Sequence, residues 1–171
     1  MNKFKLLCIF CLVAVSCWSC GMSEGQTVNM YVSQMTVYER RVEADSYELG
    51  KVCVDINGKI NEDKKKELLK ILGEQEKRFQ ATQEAIKDSH CPTQCSVLRD
   101  KYSQAFKLRI EHCQLLSNYL RNEYGKEPVD EKALEQLKEQ NKKIAEETKK
   151  VDEELRTCKA DLASRYPEVE E

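Results

Sequence analysis

The sequence predicts an all-α fold: an antiparallel up-down bundle of about four helices, disulfide-stabilised, with a long coiled-coil-like C-terminal helix. Three observations carry this expectation. A third of the residues are charged (34%), while Gly (6) and Pro (3) are scarce in 171 residues, a composition that suits long solvated helices. Apolar residues recur at spacings of three and four in four separate stretches. A secretory-type leader is followed by six cysteines, and exported helical proteins use cysteine mainly for crosslinks.

Met1 to Ser19 reads as a secretory signal peptide, with Lys3 and Lys5 as its positive start. Leu6 to Val15 is apolar but too short to span a bilayer as a helix, and no later stretch is apolar enough to do so. The expected product is residues 20–171, a single helical domain that is secreted and extracellular. Ala14-Val15-Ser16-Cys17 also resembles a bacterial lipobox, with Ala where Leu is usual. Lipidation of Cys17 would make the chain a lipid-anchored cell-surface protein instead.

The first helix is expected over Val28 to Leu49, where Tyr31, Met35, Tyr38 and Val42 share one face and Gly50 marks the end. Asn57-Gly58 suits a turn, and Asn61 can cap the second helix. Leu68, Leu69, Leu72, Phe79 and Ile86 line the buried face of that helix to about Asp88. Pro92 marks the start of the third, because its fixed φ and missing N–H suit a first turn. Leu98, Tyr102, Ala105, Phe106, Ile110, Cys113, Leu116 and Leu120 form its stripe, and Gly125 and Pro128 stop it.

Asp130 caps the fourth helix, whose pattern is the most regular. Leu134, Leu137, Asn141, Ile144, Thr148, Val151, Leu155, Cys158 and Leu162 alternate spacings of three and four up to Pro167. Asn141 and Thr148 are polar seam positions, of the kind that fix register.

Register then suggests disulfides. With residue 127 at the centre of the last turn, Cys158 lies opposite residue 96, so Cys95–Cys158 is the first expected pair, with Cys91 as the substitute for Cys95. Cys53–Cys113 and Cys20–Cys91 complete a set of six.

Several chemistries find little support. Net charge is −2 for the whole chain and near −4 without Lys3 and Lys5, and every Lys run is interleaved with acids, so nucleic acid is not expected as a partner. His90, Cys91, Cys95, His112 and Cys113 include zinc-ligand types. However, Cys95 and Cys113 lie 18 residues apart on one predicted helix, about 27 Å along its axis, so no metal is expected. Cys53 to Lys64 resembles part of a calcium loop, but Cys and Lys occupy the first and twelfth ligand positions, which makes a turn and helix cap the better reading.

No hydrolase elbow or phosphate loop is present, and an enzyme or cofactor is not expected. The leading expectation is a secreted interaction protein that binds a protein partner or itself through a helical surface. The alternatives are an extracellular carrier of a small hydrophobic ligand, with Met30, Tyr31, Met35 and Tyr38 as cavity lining, and the surface lipoprotein anchored through Cys17.

Overall fold

The structure, a computed structural model, describes residues 22–56, 61–124 and 130–167; within the first helix it describes the side chains of 24–40 and 47. The signal segment, Cys17, Cys20, the Asn57-Gly58 turn, Gly125, Pro128 and the side chains of Val42 and Cys53 lie outside the described residues. Among those residues there are four α-helices: α1 (Glu24–Ile56), α2 (Glu62–Asp88), α3 (Ser96–Asn122) and α4 (Glu131–Arg165). A 3₁₀ turn, Thr93–Cys95, joins α2 to α3.

Helix α1 begins four residues before Val28. The cause is local: Ser23 accepts from the Gln26 amide at 3.1 Å, and the Gln26 side chain accepts from the Ser23 amide at 2.9 Å. This reciprocal pair satisfies two N–H groups that a helix start otherwise leaves bare. At its other end α1 continues through Gly50 to Ile56. A glycine inside a helix costs only about 1 kcal/mol relative to alanine, so by itself it does not end one.

The other boundaries follow the cap chemistry. Asn61 accepts from the Lys64 amide at 2.8 Å, and Asp130 accepts from the amides of Lys132 and Ala133, each at 3.0 Å. Helix α2 stops where Ser89 turns extended, and the Ser89 hydroxyl donates to the Ile86 carbonyl at 2.7 Å. Helix α4 ends at Tyr166, before Pro167.

Helix α3 is the centre of the assembly. Its most extensive packing is against α2, followed by α4. Leu98, Tyr102, Ala105, Phe106, Leu108, Cys113, Leu116 and Leu120 are buried along it, opposite Leu68, Leu72, Phe79 and Ile86 of α2 and Leu137, Val151, Leu155 and Leu162 of α4. Phe79 and Phe106 meet at a centroid distance of 6.1 Å in a tilted pair.

Polar contacts mark the register on both sides of α3. Gln83 donates to the Ser103 carbonyl at 3.0 Å and Gln114 to Glu76 at 2.7 Å, while Lys101 pairs with Glu154 at 2.6 Å. The Lys101–Glu154 pair sets α3 and α4 antiparallel, in the register that the sequence suggests.

Helix α1 seats Val28, Tyr31, Val32 and Met35 in the same core. Its Glu24 accepts from Gln94 and, at 3.0 Å, from the Tyr166 hydroxyl. Glu39 pairs with Lys159 of α4 and faces the buried Tyr102 hydroxyl of α3. The ion pair ties α1 to α4.

One expectation needs correction. The α4 seam is uneven: Val151, Leu155 and Leu162 are buried, whereas Asn141, Ile144 and Thr148 are only half-buried. The cause is polar, since the His112 imidazole of α3 meets Asn141 there. Of the expected disulfides, none is seen among the described residues; Cys95 is a buried thiol on the 3₁₀ turn, and Cys158 is a half-buried thiol on α4.

Candidate functional site

Polar chemistry inside the bundle gathers at two places, the corner between α2 and α3 and the middle of the α3–α4 seam. The corner is built from a break in the chain. Ser89 and Pro92 are extended, and the 3₁₀ turn then reverses direction, with the Cys95 amide donating to the Pro92 carbonyl at 2.8 Å. The Cys91 thiol donates to the same carbonyl oxygen at 3.3 Å. Tyr31 of α1 brings its hydroxyl to 3.4 Å from Ser89 Oγ, with Cys91 beside it.

Burial dominates the electrostatics of this corner. It pushes the Cys95 thiol up to about 11, aided by neighbouring Cys91 and opposed by Arg165. It likewise pushes Tyr31 up to about 12. A thiol with that pKa is overwhelmingly protonated at neutral pH and is a poor nucleophile, which does not suit redox catalysis at Cys95. In the reduced native protein, iodoacetamide at pH 8 is expected to modify Cys158, a half-buried thiol, well before Cys95. Peptide mass mapping over a time course checks this, and equal rates would contradict the buried placement.

In the α3–α4 seam, His112, Ile144, Ala145, Thr148, Lys149, Asp152 and Arg156 line a surface cleft of ≈ 380 Å³. Arg109 of α3 reaches Asp152 at 3.6 Å beside it. Burial holds the His112 imidazole below its usual pKa, with Asn141 opposing in part, and Nε2 is buried without a hydrogen-bond partner. The folded protein therefore takes up the His112 proton less readily than the unfolded chain. This contribution to stability is fully present above the ordinary histidine pKa of about 6.5 and is lost as pH falls through the lower folded value. His112→Gln is expected to flatten that part of the stability profile below pH 6.5, measured by urea denaturation at stepped pH. An unchanged profile would remove His112 as its source.

A second cleft of ≈ 480 Å³ lies nearer the α3–α4 turn, where Tyr119 and Leu137 sit among Asn118, Asn122, Asp130 and Gln136. Both clefts are open to solvent.

Of the remaining predicted cysteines, Cys91 is half-buried at the corner and Cys113 is buried on α3. Cys53 belongs to α1, and Cys20 precedes the described residues. His90 is exposed and His112 is far along α3, so the structure does not bring them together. Among the described residues no group of three or more His, Cys, Asp and Glu converges as metal ligands, and no helix is long and apolar enough to cross a membrane.

Sequence reasoning missed the Tyr31–Ser89 contact and the Glu39–Lys159 ion pair. The available signal was chemical: a tyrosine in an apolar stripe needs somewhere to place its hydroxyl. No protein-family model, curated protein or solved structure matches this chain.

Proposed function

We propose that this chain is a secreted interaction protein, stabilised by disulfides, that presents a rigid helical surface to a protein partner or to a second copy of itself. The observation that carries the reading is the outer face of α1. Met30 and Val37 are 59% and 50% exposed. They stand seven residues apart, two helical turns or about 10 Å along one face. The opposite face is fixed by the burial of Val28, Tyr31, Val32 and Met35 and by the ion pair from Glu39 to Lys159. An apolar pair exposed on one face of a helix whose other face is in the core is suited to contact a partner.

The test compares the exported protein with a Met30→Glu/Val37→Glu variant in size-exclusion chromatography with light scattering, in buffer and in its own extracellular fluid. The expected result is a complex larger than one chain that the variant fails to form, with helical circular dichroism unchanged. A wild type that stays a single chain in both media, yet takes up a fluorescent fatty acid saturably, would replace this reading with the carrier. The intact mass of the exported protein decides separately between secretion and a lipid on Cys17.

A further inference from the structure

We propose that Cys91 and Cys95 form a disulfide with each other, closing the corner between α2 and α3 covalently. The geometry points to this pair. The Cys91 thiol and the Cys95 amide both donate to the Pro92 carbonyl, at 3.3 and 2.8 Å, so the two residues approach one another across a single oxygen. The turn that closes on this carbonyl runs from Pro92 to Cys95, and Cys91 directly precedes it. A disulfide requires Cα atoms within about 7 Å. Cys91 also acts electrostatically on the Cys95 thiol and raises its pKa.

The proposal rests on export to an oxidising compartment for its setting, and its chemistry needs a disulfide oxidant such as glutathione disulfide. Cys91 is the entry point because it is half-buried while Cys95 has no exposed surface. The Cys91 thiol loses its proton and attacks one sulfur of glutathione disulfide, which expels one glutathione thiolate and leaves a mixed disulfide on Cys91. Cys95 then loses its proton, the slow step for a thiol raised to about 11, and attacks the adjacent Cys91 Sγ, expelling the second glutathione thiolate. Two protein thiols are oxidised, one glutathione disulfide is reduced, and the two protons pass to the released thiolates or solvent. The closed ring braces the turn beneath Tyr31, on which the buried face of α1 rests.

The corner can be read by digestion. Trypsin cuts after Lys87 and Arg99, which places both cysteines in one peptide, residues 88–99, whereas Cys158 falls in the short peptide 157–159. The purified full chain is equilibrated in a reduced and oxidised glutathione buffer, blocked with iodoacetamide and digested without reduction. The proposal expects peptide 88–99 to be unalkylated and lighter than its dithiol form by two hydrogens. It also expects that peptide to be unchanged in Cys158→Ser and the bridge to be lost in Cys91→Ser.

Peptide 88–99 crosslinked to 157–159 or to any other cysteine peptide would overturn the proposal, as would full alkylation of both cysteines. The oxidant is supplied in the buffer, so the outcome does not depend on export. Export is decided by the intact mass of the protein collected outside the cell.

Discussion

Replacing Phe79 by alanine is expected to destabilise the bundle by about 3–5 kcal/mol, the usual cost of emptying a buried aromatic site. Phe79 is 2% exposed and sits in the α2–α3 packing, the most extensive in the molecule. Its ring contacts Phe106 at 6.1 Å between centroids, so the substitution also removes an aromatic pair worth about 0.5–1.5 kcal/mol beyond area burial, included in that range. Helices fixed by their length and caps are poorly placed to collapse into the void. Urea denaturation at 25 °C reads the result, and Phe79→Leu, which fills more of the space, should lose less than Phe79→Ala. Equal losses for the two variants would indicate that the site is not tightly packed.

The α4 seam gives the second large effect. Leu155→Ala should cost about 2–5 kcal/mol, whereas Ile144→Ala should cost less than about 1 kcal/mol, although both are seam residues by sequence. Leu155 is 4% exposed in the core, and Ile144 is half-buried at the open His112 cleft. The contrast tests whether α4 packs most firmly near its C-terminal end, where Val151, Leu155 and Leu162 are buried. Thermal and urea unfolding of the two variants should separate clearly. Similar losses would mean that the seam is closed along its whole length.

Much of the fold was legible because its signals are local. The caps at Asn61 and Asp130 depend on one side chain meeting amides two or three residues away, a distance set by helix geometry alone. The Ser23–Gln26 box was equally local and was overlooked because the apolar pattern starts only at Val28. Gly50 misled in the opposite direction, since a weak helix former can lie within a helix that continues to Ile56.

By itself, the sequence determined an all-helical chain, the buried stripes of α2 and α3, and the level at which α3 and α4 face each other. These follow from a 3.6-residue period and from the length of a turn, both properties of neighbouring residues. Only the tertiary structure decided which side chains meet: Tyr31 with Ser89, Glu39 with Lys159, and His112 with Asn141. A period states which face of a helix is buried. It leaves open how far each helix is rotated and where its neighbour's polar groups fall, and a rotation of one residue redirects a thiol from one partner to another.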